Sequence, residues 1–561
     1  MTATPLWFGP SGRPLFGWLH VPEDNQGRGA VVLCPPLARE LTSTQYTYRC
    51  LAEELAEAGM LAVRFDYDGT GDSSGGDRDP HRVESWLASI GHAVDLARSS
   101  GARAVSLVGM RVGALLGAVA AARLGSIDAV VLWDPCASAR SFVREQAALQ
   151  RMRSDVQMDG TDDTELPGFV FSAQTVADLG SLVVPVDGPA PSRVLLLTRP
   201  GRPAATDLPA ALGTVADEAE APGQDLLLEV EPLHHVVPYE TIDHIVSWLD
   251  AGNRAAPSAI SAPRRDVASM THDGAVLTER IVALGPVGLF AIATEPKVAT
   301  GSPTVLMLNS GNDWHVGPNR LWVDLSRRWA LAGFRCVRFD ESGLGDSPAR
   351  PGKEAHVVRA PEAFDDVAEA AAALEPDDPT NVILVGLCSG AYQALENALL
   401  LAPRAVYAVN PILHFNPPEL ATGPMDPRRR ICRPATSFVQ VYRWLPIAPL
   451  RRRLGKLAWR MVHLLNRRQD PSNWLDQLRG NGVEVLVICG RDEARPFRSV
   501  IEGTRGPPPG SGEIRIDVID DIDHALMPAW QRIEVTRRMT EHLLGHFAPE
   551  QSRSIARRNS A

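Results

Sequence analysis

The chain has 561 residues, of which 45% are hydrophobic and 22% are charged, and its formal net charge is −11. This length is too great for one hydrophobic core and suits two domains of about 250 residues each. The acidic balance argues against a nucleic-acid partner, and no stretch approaches the roughly 20 consecutive apolar residues of a transmembrane segment.

Short Val/Leu-rich runs alternate with amphipathic Ala/Leu/Arg segments along the chain, which predicts a mostly parallel sheet covered by helices on both faces. Each half opens with a hairpin pattern, L-F-G-W-L-H-V-P in the first and L-F-A-I-A-T-E-P in the second. The predicted strands are 31–35, 61–66, 104–108, 128–133 and 193–198 in the first half, and 304–308, 335–339, 381–385, 405–409 and 484–489 in the second.

The two halves repeat each other. V-R-F-D-Y-D-G-T-G-D-S at 63–73 returns as V-R-F-D-E-S-G-L-G-D-S at 337–347, and A-V-V-L-W-D-P at 129–135 matches A-V-Y-A-V-N-P at 405–411. Such self-similarity predicts two homologous domains in tandem. The predicted division is a first domain at 1–250, a small, polar, proline-bearing linker at 251–266, a second domain at 267–548 with a lid at 412–480, and a disordered tail at 549–561.

Both halves carry a G-x-Nu-x-G nucleophile elbow, in which a sharp turn between a strand and a helix exposes one side chain. The elbow residue is Arg111 in the first copy and Cys388 in the second. An arginine stays protonated and cannot attack a carbonyl, whereas a free thiol is a strong nucleophile. Ser389 is a rival nucleophile in the wrong register, and a buried, inert role for Cys388 is the structural alternative.

The elbow, the alternation of strands and helices and the opening hairpin together resemble the α/β-hydrolase fold over nearly the whole chain. The phrases R-F-D-x-x-G-x-G-D-S, V-G-P-N-R and G-F-V-F-S-A-Q-T-V-A-D-L also resemble the hydrolases associated with exosortase A systems and serine-aminopeptidase-like proteins. The fold expected for each half is therefore a doubly wound sheet with a lid insertion.

The resemblance implies a triad in the chain order nucleophile, acid, histidine. In the second copy the acid position after strand 484–489 is Asp492, with the adjacent Glu493 as the competing carboxylate, and His524 follows. In the first copy Arg199 stands where an acid is expected, and only His235 remains. The first domain is therefore predicted to be a pseudo-enzyme.

An oxyanion hole in this fold uses the amide after the nucleophile and one from the loop after the third strand. The sequence assigns these roles to Ser389 and to Ser310 and Gly311, whereas the first copy has Pro35 and Pro36, which lack an N–H. Nearby residues that are candidates for substrate contact are Asp313, His315 and Asn319.

Two carboxylates of the repeated R-F-D motif, Asp340 and Asp346, are also retained in the first copy as Asp66 and Asp72. Because the first copy keeps them while losing the catalytic residues, a turn or capping role is favoured over catalysis.

The lid region is basic in an acidic protein. From Arg428 to Arg468 there are twelve Arg or Lys residues and no Asp or Glu, interleaved with aromatic and aliphatic side chains. Three interpretations stay open: an exposed basic face, a dock for coenzyme A phosphates or an acidic carrier protein, and a peripheral membrane contact. The candidate carrier-binding residues are Arg451, Arg452 and Arg453.

A cysteine at the elbow resembles dienelactone hydrolases, polyhydroxyalkanoate synthases and bile-acid acyltransferases. These families imply a covalent acyl-thioester, so we expect a thioesterase or acyltransferase that acts on a carrier-bound acyl group in a biosynthetic pathway. A small-molecule esterase or lactonase and a non-catalytic binding scaffold are the alternatives. The first domain would then be a structural or docking partner that shapes the lid or a homodimer contact.

No cofactor and no metal are expected. The seven cysteines are scattered without a CxxC pair, which predicts neither a disulfide framework nor a zinc site. The N-terminus lacks a basic-then-apolar signal, so the expected location is the cytoplasm.

Overall fold

In the computed structural model of the protein, the chain is described at 2–153, 162–185, 188–202, 206–230, 235–253, 256–298, 300–358, 360, 362–412, 471–491, 493–494, 497 and 512–548. Most of the predicted lid, including Arg451, Arg452 and Arg453, and the predicted tail lie outside the described residues.

The first half contains eleven described strands: β1 (Thr2–Phe8), β2 (Leu15–Val21), β3 (Gln26–Gly27), β4 (Ala30–Cys34), β5 (Leu61–Phe65), β6 (Val105–Met110), β7 (Ala129–Trp133), β8 (Thr164–Leu166), β9 (Phe169–Phe171), β10 (Arg193–Thr198) and β11 (Ala216–Glu220). Eight of them form one sheet in the order β1-β2-β5-β4-β6-β7-β10-β11. The β1–β2 hairpin and the β2–β5 pair are antiparallel, and the remaining pairs are parallel.

The second half repeats this sheet with one additional edge strand. Its described strands are β12 (Ser258–Ala259), β13 (Val267–His272), β14 (Ala275–Leu284), β15 (Leu289–Glu295), β16 (Thr304–Met307), β17 (Cys336–Phe339), β18 (Val382–Leu387), β19 (Ala405–Val409), β20 (Glu484–Cys489) and β21 (Ile514–Val518). The nine-stranded order is β13-β14-β15-β17-β16-β18-β19-β20-β21, in which β14 to β21 follow the same connections as the first sheet.

Helices cover both sheets on both faces. Those described are α1 (Arg39–Glu57), α2 (Arg82–Ser99), α3 (Val112–Leu124), α4 (Ala139–Arg153), α5 (Ala173–Ser181), α6 (Leu208–Ala211), α7 (Gln224–Leu228), α8 (Tyr239–Gly252), α9 (Leu321–Leu331), α10 (Ala363–Leu374), α11 (Ser389–Leu401), α12 (Pro471–Gly480) and α13 (Ala529–Phe547), with a 3-10 turn at Pro318–Arg320. Among the described helices, none is long and apolar enough to cross a membrane.

The central strands are uniformly apolar because both of their faces are buried. Every residue of β4, β7, β18 and β19 is buried, and the predicted strands of both halves are confirmed to within about two residues at each end. The prediction of two α/β-hydrolase-type sheets is also confirmed.

The segment predicted as a linker, 251–266, lies partly on the first domain. Helix α8 extends to Gly252, strand β12 pairs with β3, and the Ile260 side chain is buried in the first hydrophobic core. Of the predicted lid, the structure describes Ile412 and helix α12. Helix α12 contacts α11.

The two domains meet through equivalent surfaces. Arg64 Nη2 lies 2.6 Å from Asp346 Oδ1, and Arg338 Nη2 lies 2.9 Å from Asp72 Oδ1. These four residues are two pairs of counterparts in the repeated R-F-D motif, so the contact has the reciprocal form of an isologous dimer interface. Phe16 and Phe290, which are also counterparts in the repeat, pack at this interface with their ring centroids 6.1 Å apart.

Candidate active site

The elbow backbone is the same in both domains. Cys388 connects β18 to α11 with φ 58° and ψ −115°, and its amide donates to the Val409 carbonyl at 3.0 Å. Arg111 connects β6 to α3 with φ 54° and ψ −122°, and its amide donates to the Trp133 carbonyl at 3.0 Å. A non-glycine residue at positive φ is strained, and such strain is typical of an active-site turn.

Two glycines make this turn sterically feasible in the second domain. A Cβ at Gly386 would overlap with the backbone of Gly390, and a Cβ at Gly390 would overlap with the Asn309 carbonyl oxygen. The strand, the first turn of the helix and the loop after β16 therefore approach as closely as backbones can.

Cys388 differs from the other described cysteines in its exposure. Of the six free cysteines in the described part of the chain, it alone is only partly buried. Burial raises the pKa of the buried thiols of Cys34, Cys50 and Cys489 to about 12, which makes them inert at neutral pH.

His524 lies on the loop between β21 and α13 and belongs to the same site as Cys388. Its interaction with the Cys388 thiol is the largest influence that raises the pKa of His524, burial opposes this effect, and Glu493 adds to it. The Nε2 atom is buried and has no partner in full hydrogen-bond geometry among the described residues. Such loose alignment is common before substrate binds.

The carboxylate beside His524 is Glu493, whose Oε1 lies 3.4 Å from Nδ1. The sequence prediction favoured Asp492, which lies outside the described residues. Among the described residues, the competing carboxylate is therefore the one that contacts the His524 ring. Two adjacent acids after one strand cannot be distinguished by their position in the sequence.

Asn410 is a residue of the candidate site that the sequence analysis missed. It follows β19, has φ 42°, and its Nδ2 donates to the carbonyls of Asp523 at 3.2 Å and His524 at 3.1 Å. Its Oδ1 accepts from the Gly490 amide at 3.2 Å. One side chain thus ties the histidine loop to the end of the strand that precedes the acid. The asparagine in A-V-Y-A-V-N-P, where the first copy has Asp134, was the available signal.

The predicted oxyanion residues lie together. Ser389 is the first residue of α11, where helix amides have no intrahelical acceptor, so its N–H is positioned for an oxyanion. The Gly311 amide donates to the Ser389 hydroxyl at 2.8 Å, so its use in an oxyanion hole requires this hydrogen bond to be exchanged for one to substrate. The Ser310 carbonyl accepts from the Asp313 amide. The assignment of Ser389, Ser310 and Gly311 stays a prediction.

Of the three predicted candidates for substrate contact, His315 has a structural role. Its Nδ1 lies 2.8 Å from Asp340 and its Nε2 lies 2.6 Å from Asp72 of the first domain. Burial alone would lower the pKa of His315, but the two carboxylates raise it well above its ordinary value. The imidazolium is therefore a buried bridge between the domains.

Asp340 acts as the predicted turn residue. Its Oδ2 accepts from the Asp346 amide at 2.9 Å, and its Oδ1 accepts from Asn309 Nδ2 at 3.0 Å. Asp66 accepts from the Asp72 amide in the same way, at 2.9 Å. What the sequence did not predict is that Asp72 and Asp346 then pair with arginines of the opposite domain.

A second buried carboxyl lies in the loop after β17. Burial raises the pKa of Glu341 to about 8, so this side chain is largely protonated at neutral pH. Its Oε2 accepts from Gln393 Nε2 at 3.3 Å, whereas its Oε1, like the Gln393 Oε1, has no partner among the described residues.

The equivalent site of the first domain is occupied by ion pairs. Arg111 Nε lies 3.1 Å from Glu40, and its other nitrogens lie 2.7 Å from Glu145 and 3.6 Å from Asp134. Arg199, at the acid position, also binds Asp134, at 2.8 Å. The guanidinium of Arg111 is thus neutralised by carboxylates.

Two described clusters have the spacing of metal ligands. In one the histidine nitrogens already bind carboxylates, and the other lies far from the elbow. In the first, formed by His315, Asp340 and Asp346, both nitrogens of His315 already bind carboxylates. The second consists of Glu484, His542 and His546. The His542 Nδ1 lies 3.1 Å from the Tyr407 hydroxyl. Glu484 is the first residue of β20, so this cluster lies at the opposite end of the parallel strands from Cys388.

No protein-family model matches the chain, and no curated protein matches it in sequence. Solved structures do match. An α/β serine hydrolase without a lid from Xanthomonas campestris has 15% identity and a TM-score of 0.29, covering 48% of this chain and 96% of the other. Est1E from Butyrivibrio proteoclasticus has 17% identity and a TM-score of 0.33, covering 44% and 98%. A dienelactone hydrolase from Anabaena variabilis has 13% identity and a TM-score of 0.30, covering 51% and 100%.

The class is defined by the strand order, by the elbows that follow β6 and β18, and by the histidine loop after β21. The chain consists of two α/β-hydrolase-fold domains in tandem. Only the second carries a nucleophilic residue on its elbow and a histidine that interacts with it.

Proposed function

We propose that the second domain is an acyl-transfer enzyme, a thioesterase or acyltransferase, in which Cys388 is the nucleophile, His524 the general base and acid, and Glu493 the carboxylate that orients the ring. The observation that carries the proposal is the Cys388–His524–Glu493 arrangement, with a partly exposed thiol on a strained elbow and a carboxylate 3.4 Å from the distal ring nitrogen. The first domain, with Arg111 at its elbow, contributes no nucleophile.

The chemistry proceeds in two steps. His524 takes the Cys388 proton at Nε2, the sulfur attacks the acyl carbonyl, and the carbon–sulfur bond of the acyl-enzyme forms. The bond to the leaving group breaks, and His524 returns the proton to it. In the second step His524 removes a proton from water or from an acceptor alcohol, amine or thiol, which attacks the thioester and releases the acyl group. Cys388 then regains its proton.

The oxygen of each tetrahedral intermediate needs donors. The Ser389 amide, at the N-terminus of α11, is supported by its position and by the positive end of the helix dipole. A second donor comes from the Ser310–Gly311 loop, after the hydrogen bond from Gly311 to the Ser389 hydroxyl is exchanged.

A carrier-bound acyl group, on coenzyme A or an acyl carrier protein, is the proposed substrate class. The support is compositional: twelve basic and no acidic residues between Arg428 and Arg468 suit a polyanionic carrier in an otherwise acidic chain. We further propose that the enzyme acts in a biosynthetic pathway. The resemblance of its motifs to those of exosortase-associated hydrolases is part of the same proposal.

The test is intact-protein mass spectrometry after incubation with a panel of acyl-coenzyme A and acyl-carrier thioesters. We expect a mass gain equal to the acyl group, or release of free thiol, in the wild type. Cys388→Ala should lose both, by on the order of 10⁴-fold in turnover. The matched control is Cys489→Ala, which removes a buried thiol on β20, two strands away from β18 in the same sheet.

Unchanged turnover in Cys388→Ala would refute the mechanism. Activity on short activated esters, with neither adduct nor thiol release from any thioester, would instead favour the esterase or lactonase. Absence of all three activities would favour a binding scaffold.

A further inference from the structure

The helix that follows the catalytic histidine lacks a cap of its own. The His524 loop enters α13 through Pro528, which occupies the N-cap position and makes no side-chain hydrogen bond. The first turn of α13 also contains no acidic residue. The exposed amides of such a helix start require an acceptor from elsewhere.

The acceptor comes from the first domain. The Glu165 carboxylate accepts a hydrogen bond from the Ala529 amide, the first N–H of α13. A carboxylate at this position satisfies an unpaired donor and complements the positive end of the helix dipole. Glu165 therefore caps the N-terminus of α13 from the first domain, whose own elbow carries no nucleophile.

Glu165 is held in place by a hairpin anchored in the first core. Strands β8 and β9 pair through the turn at Pro167 and Gly168. The Leu166 side chain is fully buried, and the ring of Phe171 lies 5.7 Å from that of Trp86. The base of the hairpin is thus fixed to the first domain, while its turn reaches the second.

The turn of the hairpin contacts the histidine loop directly. The Gly168 amide donates to the Met527 carbonyl at 3.3 Å. Gly168 has φ +78°, and a Cβ there would overlap with Asn319 Oδ1. The Nδ2 of the same Asn319 donates to the carbonyls of Ala525 at 3.0 Å and Leu526 at 3.3 Å. A glycine, an asparagine and three consecutive loop carbonyls therefore pack as one unit.

We propose that the hairpin 164–171 of the first domain positions His524, with Glu165 and Gly168 as positioning residues. The hairpin determines where α13 begins and fixes the three residues that follow His524, so that the imidazole stays against Cys388. This inference rests on the proposed function of Cys388 and His524. It assigns the first domain a role in a reaction whose chemistry takes place entirely in the second.

The test measures the reactivity of Cys388 and needs no substrate. The full-length protein is treated with iodoacetamide from pH 5.5 to 9.5, and alkylation of Cys388 is followed by peptide mass spectrometry. A thiol paired with imidazolium reacts at low pH, whereas an isolated thiol reacts only as it approaches its ordinary pKa near 8.5. We expect the wild type to react at pH 6.5, and Glu165→Ala and Gly168→Ala to react about tenfold more slowly there.

Matched controls separate positioning from general damage. Gly201→Ala introduces the same positive-φ strain at φ +69°, with nothing within 4 Å of the new Cβ. Glu84→Ala removes an exposed first-domain carboxylate that pairs with Arg123. Both should retain the wild-type profile. Glu165→Gln keeps an oxygen acceptor for the Ala529 amide and should restore at least half of the low-pH rate.

Hydrogen exchange provides a second readout if a variant is less stable. The peptide 524–530 should exchange faster in Glu165→Ala than in Glu84→Ala, because the Ala529 amide loses its acceptor. Peptides from β18 and α11 should be unchanged in both variants.

The outcomes distinguish the two proposals. A wild-type Cys388 that reacts no faster at pH 6.5 than a free thiol would overturn both. A reactive wild type with an identical profile in Glu165→Ala and Gly168→Ala would overturn the positioning role and leave the proposed function standing. Equal loss in the Gly201→Ala control would also overturn it, since the contact would then not be the cause.

Discussion

The two elbows have one backbone and opposite chemistry. Their φ and ψ values agree to within a few degrees, and each amide donates to the corresponding neighbouring strand at 3.0 Å. The turn is thus set by flanking glycines and strand pairing, independently of the residue it exposes. Arg111 is surrounded by carboxylates, whereas Cys388 stays partly exposed beside His524. The comparison teaches that the fold preserves the turn and the side chain decides the chemistry.

The surroundings of the elbows differ in the same direction. Tyr67 of the first domain corresponds to Glu341 of the second, and its hydroxyl donates to the Pro35 carbonyl at 3.2 Å. Glu341 instead keeps one oxygen without a partner among the described residues. The first site is filled by ion-paired side chains around Arg111, although Glu40 Oε2 also lacks a partner among the described residues. Among its own described residues, the second site has no such cation and retains a neutral carboxyl beside its elbow.

The largest effect is expected at Glu493, the carboxylate beside His524. After the corresponding strand, the first domain has Arg199 instead. Glu493→Gln should lower kcat/KM by about 10²–10⁴-fold, because the ring loses the carboxylate that sets its tautomer and stabilises its charge. Asp492→Asn removes the same charge one residue away and should change the rate by less than about threefold. Single-turnover acylation rates would measure both. The opposite ranking would restore Asp492 as the triad acid.

An effect on stability alone is expected at the first elbow. Arg111→Met should destabilise the first domain by about 3 kcal/mol, because Glu40 and Asp134 lose a buried partner. The rate of acyl-enzyme formation should be unchanged. Denaturant unfolding followed alongside the acylation assay would measure both quantities. Arg123→Met, in an exposed pair, is the control and should cost less than about 1 kcal/mol. A large loss in kcat in Arg111→Met would show that the first site takes part in the reaction.

A smaller effect is expected from the basic segment that the sequence predicts as a lid of the second domain. Charge reversal of Arg451, Arg452 and Arg453 to Glu should weaken carrier-linked substrates by about tenfold at low salt, and added salt should reduce the difference. Turnover of free small esters should not change. Arg123→Glu on the first domain controls for net charge. Equal loss on both substrate classes would point to disturbance of the lid fold instead.

The smallest effect is a pH dependence of stability at Glu341. Its pKa is raised from 4.5 to about 8, so between these values the native state holds a proton that the unfolded state releases. Stability therefore falls as pH rises through this window. Glu341→Gln mimics the protonated form and should reduce the fall in Tm between pH 5 and 8, by about 2–4 °C for each kcal/mol that the bound proton contributes. Calorimetry at several pH values would measure it, and parallel profiles in the two proteins would contradict the assignment.

Much of the fold and part of the site could be predicted because they depend on local patterns. Apolar runs buried on both faces predicted the strands, and the glycine spacing predicted both elbows. The choice between Asp492 and Glu493 could not be predicted, because both acids follow the same strand at neighbouring positions. Their place in the sequence does not say which carboxylate faces the histidine. Asn410 was missed because its partners, Asp523 and His524, are more than a hundred residues away.

The amino-acid sequence by itself determined that the protein repeats one α/β-hydrolase architecture and that only one copy has a nucleophilic residue at its elbow, because periodicity and motif chemistry are local properties. Only the tertiary structure decided how the copies are joined. The reciprocal Arg64–Asp346 and Arg338–Asp72 pairs, and the contact of Glu165 with the helix after His524, link residues more than 250 positions apart. Such contacts leave no periodic signal, since they arise when two finished surfaces pack together.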